Sequence, residues 1–430
     1  MHRLRTGLGT LIGILLIAFG FRPGAAAAAT AAVPPSLSAR AAALIDAQSG
    51  QILYELNGSV RHYPASTTKI LTALLAAESD RLDEPVTAPE GVSAGPDGTS
   101  CYLQPGETHT LRELTACLLV ASGNDAASVI AGYLGGSEEA FAAAMNRRAR
   151  EAGAGASHFV NPHGLHHPDH YTTALDLARI ARAAFQNPEV RRLAGLREFT
   201  LQGPEPTPRV FYNHNRLLQD YPGMVAGKTG FTEQAQHTLV ALAERQGREL
   251  IGVVLGAPSR QDLFADMTRL LDWGFAAFAP QALVQAGEVV GTVPVRGGQV
   301  EQVTAVAGGD FDAWLPVGAA WGPPIERVVN LVREVEAPVS AGHPLGEILI
   351  RQQGQVLARI PVRAREAVPP AEVAEARLAA SARPRPSALG WTALAGVLSL
   401  GLRAWLRRRR LSRWRDVRPL DLRRRAAGRF

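Results

Sequence analysis

The sequence predicts an α+β chain: a domain of mixed helices and strands, then a small all-β sandwich, then an apolar helix near the C-terminus. Three observations predict it. Strand-like runs at 41–56, 237–244 and 249–256 bracket an alanine-rich helical stretch from about 111 to 185, so helices lie between two groups of strands. From about Gln281 the texture changes to short β-rich runs separated by Gly, Pro and Asp, the spacing of a sandwich. Finally, Ala388 to Leu402 carries no charge on any helical face, which suits insertion rather than amphipathic packing.

With 430 residues, 46% hydrophobic and 20% charged, the chain has ample apolar material for more than one core. Residues 1–29 read as an export signal: basic Arg3 and Arg5, an apolar stretch from Leu8 to Phe21, and the small-residue run Gly24 to Ala29 where a signal peptidase could cut. An uncut signal-anchor is the alternative, disfavoured because the apolar stretch falls short of the roughly 20 residues a span needs.

The first domain is expected over 38–276. Residues 41–56 form two strands around a Ser49-Gly50 turn, and a helix starts near Ser66 and runs through Ile70 to Ala77, with Pro64 marking the loop before it. The β-domain is expected over 281–362, with strands at Val289-Val290, Gly291 to Val295, Val303 to Val306, Val328 to Val332, Ile348 to Arg351 and Val356 to Val362. The Ala, Glu, Arg and Pro segment 363–387 reads as a stalk-like linker.

Extended to 388–406, with Arg403 snorkelling, the apolar segment would be about 28 Å of helix at ~1.5 Å per residue, enough to cross a hydrocarbon core. Its uniform apolarity favours a span over a helix lying in the interface. The arginine-rich tail 407–430 then stays cytoplasmic and the folded body lies on the extracytoplasmic side of the cell membrane. Net charge is +6, yet residues 403–430 hold twelve arginines against two aspartates, leaving about −4 for the rest. Nucleic acid is therefore not an expected partner of the body, and anionic lipid is the simpler partner of the tail.

Cys101 and Cys117 are the two cysteines. An oxidising compartment permits a bridge, but both lie in apolar stretches, which favours two buried free thiols. Their spacing supports neither zinc nor thiol redox chemistry.

The chemistry is carried by three short motifs. Ser66-Thr67-Thr68-Lys69 places a hydroxyl and an amine three residues apart at a helix start, on one face. Such a lysine can take the serine proton only if its ordinary pKa, about 10.4, is lowered by burial or by a second cation. Lys228, in Lys228-Thr229-Gly230, is the natural second cation. Between them, Ser122-Gly123-Asn124 offers a hydroxyl to relay a proton and an amide to orient either Lys69 or the substrate. Gly230 lets a substrate backbone approach and Thr229 can donate to a carboxylate. The backbone N–H groups of Ser66 and Phe231 are the expected oxyanion hole.

Seen singly, each motif is better explained as a helix cap, a turn or a surface lysine. Arginine usage changes that balance. Of 45 basic residues, lysine stands only at 69 and 228. A chain that uses guanidinium wherever a permanent cation suffices, and keeps amines inside two such motifs, needs the amine itself there.

These motifs belong to the penicillin-binding and class A β-lactamase set. Over about residues 38–363 the chain resembles the low-molecular-mass penicillin-binding proteins that act as D-alanyl-D-alanine carboxypeptidases. The resemblance rests on Pro64 to Lys69, Ser122 to Ala127, Asn161-Pro162-His163-Gly164-Leu165, Asn215-Arg216-Leu217-Leu218, Lys228 to Thr232 and Leu270 to Phe275. It implies a β-lactamase/transpeptidase-like catalytic domain that removes the terminal D-alanine of a peptidoglycan pentapeptide through an acyl-enzyme on Ser66, with β-lactams acylating the same serine. It also implies Lys69 as base, Ser122 and Asn124 as relay and positioning pair, and Lys228 with Thr229 as the substrate-carboxylate site. No cofactor or metal is implied.

Two departures stand out. Leu263 occupies a position where the family often has arginine, with Arg260 one helical turn away as a substitute, and Gln236 stands where the family tends to have glycine. His163, His166, His167 and His170 crowd one loop, but its irregular turn composition argues against a metal site and for His163 supporting the loop near the site. Trp391 and Trp405 fit interfacial anchoring. Rival functions are a β-lactamase, disfavoured because no glutamate stands in a recognisable deacylation motif, and a catalytically silent wall-binding protein of the same fold.

Overall fold

Strands buried on both faces form the five-stranded centre of the first domain of this computed structural model, which describes residues 33–371 apart from 96–97, 204–207 and 318–322. The strands are antiparallel, in the order Ile52–Leu56, Ala41–Asp46, Arg248–Ala257, Gln236–Arg245, Met224–Thr232. Ala41, Ala43, Ile45, Val240, Leu242, Ile251 and Val253 face one helical layer. Ala42, Leu44, Leu239, Ala241, Leu250 and Val254 face the other. Successive side chains point to opposite sides of a strand, so a run such as Ala41–Asp46, buried throughout, must be covered on both faces.

The first layer gathers around the helix Lys69–Ala77, which is buried on nearly every side and is therefore a central helix, not a surface one. Around it lie Leu111–Val120, Asn124–Gly135, Glu138–Glu151 and Ala174–Gln186. Their starts are written in the sequence. Thr110 and Glu113 form a reciprocal capping box, and Ser137 and Thr173 cap the next starts, each worth about 1 kcal/mol. The second layer is the helix Arg260–Ala277, capped by Ser259, with Leu263, Phe264, Met267 and Leu270 against the sheet.

Cys101 and Cys117 form a disulfide, contrary to the expectation of free thiols. Both are fully buried, but an apolar setting suits a bridge as well as a thiol, so it could not discriminate. The bridge ties helix Leu111–Val120 to the segment that precedes it.

The second domain holds a two-stranded sheet, Phe278–Val284 with Phe311–Pro316, and a six-stranded one. The latter runs Ile325–Leu331, Pro344–Gln352, Gln355–Ala364, Gln302–Ala307, Val289–Arg296, Val335–Glu336. Val289-Val290 and Gly291 to Val295 are one strand, not two. Val362 lies inside a strand that continues to Ala364, and Val368 bridges to Val339. The domain docks through two glutamines. Gln51 exchanges hydrogen bonds with the Trp314 backbone, at 2.6 and 2.9 Å, and Gln352 does the same with Ile52, at 2.7 and 3.0 Å. The expected signal 1–29, the membrane segment 388–406, the tail 407–430 and all but the start of the linker lie outside the described residues. Among the described residues no helix is long and apolar enough to cross a membrane.

Candidate active site

Ser66 sits in a single 3-10 turn, Ala65–Thr68, that runs directly into the helix Lys69–Ala77. The preceding Ala65 has φ of +49°, a left-handed conformation that L-residues other than Asn and Asp seldom adopt. The turn is held there by its surroundings. Pro64 O accepts from Thr67 Oγ1 at 2.6 Å and from Thr238 Oγ1 at 2.9 Å. Gly164, at φ +89°, lies so close that a Cβ would fall 1.9 Å from Ala65 O. Strain maintained by neighbours on both sides is characteristic of a functional turn.

Lys69 is fully buried, and its ammonium donates to Ser66 Oγ at 3.0 Å, Asn124 Oδ1 at 2.6 Å and the His163 carbonyl at 2.7 Å. The Asn124 amide oxygen thus holds Lys69, one of the two tasks the sequence offered it, while its Nδ2 donates to Ala94 O at 3.2 Å. His163 contributes its backbone carbonyl to the lysine, while its Nε2 lies 3.6 Å from Glu138. Asn161 closes this loop, accepting from Gly164 N–H at 2.7 Å and donating to Leu165 O at 3.0 Å. Burial pushes the Lys69 pKa well below its ordinary value, repulsion from Lys228 lowers it further, and Asp125 pulls the other way.

Lys228 is also buried and donates to Thr229 O at 2.9 Å. Burial pushes its pKa from 10.5 to about 7. The amine expected as the second cation therefore sits where burial disfavours its charge. The Lys228 charge, when present, is in turn one of the causes that lower the Lys69 pKa.

Lys228, Thr229, Gly230 and Phe231 lie on Met224–Thr232, the edge strand of the sheet. Gly230 is required by close approach, since a Cβ there would stand 2.7 Å from Ser66 N and 2.6 Å from Thr238 Oγ1. An unpaired strand edge beside the nucleophile can accept an extended peptide as an added strand. Ser122 is buried with φ of +62°, and its carbonyl accepts from Thr99 Oγ1 at 2.6 Å. The three Lys69 hydrogen bonds go to Ser66, Asn124 and His163, not to Ser122.

Leu263 is only 2% exposed and packs into the core beneath the second layer. Arg260 donates to His214 O at 3.0 Å, and its guanidinium lies over the Phe264 ring. The backbone of Gln236, at φ +57°, is left-handed, which is why glycine suits that position.

Three residues escaped sequence reasoning. His214 is held down to about 4 by burial and by the cations of Lys228, Arg260 and Lys69, so it shares their electrostatic environment. His170, from the crowded loop, is buried; its Nδ1 accepts Val160 N–H at 3.2 Å, which leaves Nε2–H to donate to Thr68 Oγ1 at 2.8 Å. Its pKa falls to about 3, chiefly through burial, so it supports the nucleophile turn as a neutral imidazole. Asp125 gathers the N–H groups of Cys101, Leu103 and Ala126 and the Ser100 hydroxyl. It was visible as part of a motif, but its partners in the Ser100–Leu103 segment, 22 to 25 residues away, were not.

A serine whose neighbour is a buried amine resisting its own charge, set against an open strand edge, is equipped for acyl transfer with lysine in place of histidine. Comparison with known proteins narrows that class. A D-alanyl-D-alanine carboxypeptidase family model matches residues 28–259, and a model of the penicillin-binding protein 5 C-terminal domain matches 278–370. D-alanyl-D-alanine carboxypeptidase DacF of Bacillus subtilis is 32% identical over 376 residues, covering 85% of this chain and 94% of the relative. DacB2 of Mycobacterium tuberculosis is 39% identical over 249 residues, 56% of this chain and 82% of the relative. The crystal structure of penicillin binding protein 5 from Haemophilus influenzae superposes with a TM-score of 0.65 at 28% identity, covering 78% of this chain and 99% of that one. The chain belongs to the D-alanyl-D-alanine carboxypeptidases, low-molecular-mass penicillin-binding proteins that are serine peptidases.

Proposed function

We propose that this carboxypeptidase removes the terminal D-alanine from peptidoglycan pentapeptides on the outer side of the cell membrane, exported by residues 1–29 and tethered by 388–406. The observation that carries the site assignment is the Lys69 hydrogen bond to Ser66 Oγ together with the depressed Lys69 pKa. Neutral Lys69 takes the Ser66 proton as Oγ attacks the carbonyl of the penultimate D-alanine. The oxyanion forms between the N–H groups of Ser66 and Phe231, a role supported by the close approach of Gly230 to Ser66 N. The proton then passes, through the Ser122 hydroxyl, to the departing amine, and the C–N bond breaks to leave an ester on Ser66. Water, losing its proton to Lys69, hydrolyses that ester and frees the enzyme. Lys228 and Thr229 bind the terminal carboxylate, with the positive charge of Arg260 near them. β-Lactams present an acyl group to the same serine, and the intact hydrogen bonding of Ser66 and Lys69 favours an active enzyme over a silent wall binder.

Lys69→Arg tests this. Arginine keeps the charge and cannot serve as a base, so both labelled-penicillin acylation and D-alanine release, followed by mass spectrometry, are expected to fall by ~10²-fold or more. Activity within a few-fold of wild type would refute the role of Lys69.

A further inference from the structure

Tyr102 is the one aromatic residue among the described residues with a left-handed backbone, at φ +58°, and it is 64% exposed. For a bulky side chain that conformation is a genuine outlier, and it persists only where the surroundings impose it. Here they do so from several directions. The N–H groups of Cys101 and Leu103, on either side of it, donate to Asp125 at 2.8 and 3.1 Å. Tyr102 N–H donates to Ser100 Oγ at 2.8 Å, and that hydroxyl donates to Asp125 at 2.7 Å. Arg209 donates to the carbonyls of Cys101 and Tyr102, at 3.2 and 2.5 Å, and the Cys101–Cys117 disulfide fixes the segment covalently. All this rigidity is applied to a ring that faces solvent and adds little to the core. It stacks nearly parallel on Phe211, with an interplanar angle of 12° and centroids 6.4 Å apart, and with Tyr102 mostly exposed the stacked pair offers an aromatic shelf to solvent.

The shelf is anchored to the catalytic loop. Thr99 O accepts from Asn124 N–H at 2.8 Å and Thr99 Oγ1 donates to Ser122 O at 2.6 Å. Tyr102 follows three residues later, no more than about 10 Å of chain. An extended peptide covers roughly 3.3–3.6 Å per residue, so the shelf lies within range of the part of the substrate three to four residues upstream of the scissile bond. In a wall pentapeptide that is the end joined to the sugar. The shelf's chemistry also suits a sugar. Flat rings match the apolar C–H face of a pyranose, and a phenol hydroxyl at the edge can bond its hydroxyls. The charged residues of the stem peptide find no complement there, because Arg209 is already paired with Glu107.

We propose that Tyr102, with Phe211, is a stacking platform for the sugar to which the substrate's stem peptide is attached, so that the enzyme favours glycan-linked over free pentapeptide. This rests on the carboxypeptidase reading above. The test is the KM for D-alanine release from free pentapeptide divided by that for the same peptide linked to an N-acetylmuramic-acid-containing disaccharide. Wild type is expected to favour the sugar-bearing substrate about ten-fold, the order expected for covering one aromatic face. Tyr102→Phe should keep the ratio. Tyr102→Gly, which removes the ring while suiting the left-handed backbone, should bring it close to one. Calorimetric binding of the two tetrapeptide products to Ser66→Ala protein should give the same ordering without turnover. A failure to release D-alanine would therefore count against the enzymatic reading alone. A wild-type ratio near one, or an undiminished ratio in folded Tyr102→Gly protein, overturns the platform.

Discussion

Replacing Lys228 by methionine should change how stability depends on pH, and the size of the change follows from its burial. In the folded chain its pKa is pushed from 10.5 to about 7, whereas an unfolded lysine stays protonated to about 10.4. Between these values the unfolded chain binds a proton that the folded chain lacks, so this group makes stability rise with pH across that window. Below pH 7 both states become protonated, and the folded protein carries the full cost of a buried cation. A pH unit fully inside the window contributes about 1.4 kcal/mol. From pH 7, where the native amine is half protonated, to pH 9 the gain is about 2 kcal/mol. Methionine keeps an unbranched apolar stem and does not titrate. Unfolding free energies from denaturant titration, measured at pH 5, 6, 7 and 9 in a Lys69→Met background to remove coupling between the amines, isolate the effect. The stability advantage of Lys228→Met should shrink by about 2 kcal/mol from pH 7 to 9 and stay nearly constant from pH 5 to 6. A pH-independent difference, or one that widens above pH 7, would show that Lys228 is not a strongly desolvated cation.

Two further perturbations have equally definite signs. Cys101→Ser opens a loop whose ends are 16 residues apart, for which chain entropy predicts a loss of about 3 kcal/mol; an unchanged denaturation midpoint would mean that the bridge adds nothing to stability. Arg260→Gln removes one of the cations acting on His214, so the imidazole pKa should rise from about 4 when followed by NMR. An unmoved His214 titration would place Arg260 outside the electrostatic reach of the site.

The catalytic groups were legible because their chemistry is local. Ser66 and Lys69 are three residues apart, and the scarcity of lysine marked Lys228 as belonging with them. The opening hairpin and the helix after it were legible from alternation and turn residues, and most strands of the second domain from their β-rich runs. What sequence left hidden depends on contacts between distant segments. The disulfide needs helix Leu111–Val120 to lie against the Cys101 segment, and nothing in the spacing says that it does. Sequence singled out His163 among the four crowded histidines and gave His170 no role, yet burial against Thr68 gives His170 a fixed tautomer and a task. Phe278–Val284 and Phe311–Pro316 pair with each other across 26 intervening positions and were absent from the expected strands. Tyr102 carries no motif at all. Its conformation is imposed by Asp125 and Arg209, and a left-handed tyrosine cannot be read from composition or periodicity.

The scarcity of lysine pointed to an amine at both positions, with a direct chemical reason at 69, where a base must give up its proton, and none at 228, where a permanent cation would seem as good for holding a carboxylate. The structure supplies the missing reason. The chain does bury an arginine elsewhere: Arg248 stacks 3.6 Å from the Trp314 ring and donates to Gly274 O and Phe278 O, yet its Nε and Nη2 remain without partners. That environment lowers its pKa only to about 10, so the charge stays. At 228 the side chain is just as enclosed, and the hydrogen bond it makes runs to Thr229 O. A guanidinium would bring five donors to that position with no means of shedding its charge, and a fixed cation beside Lys69 would add to the repulsion at all times. Lysine needs fewer acceptors, and near pH 7 it can move between charged and neutral forms. Both positions thus suit an amine for one physical reason: burial disfavours the charge at each, and a lysine, unlike an arginine, can shed it.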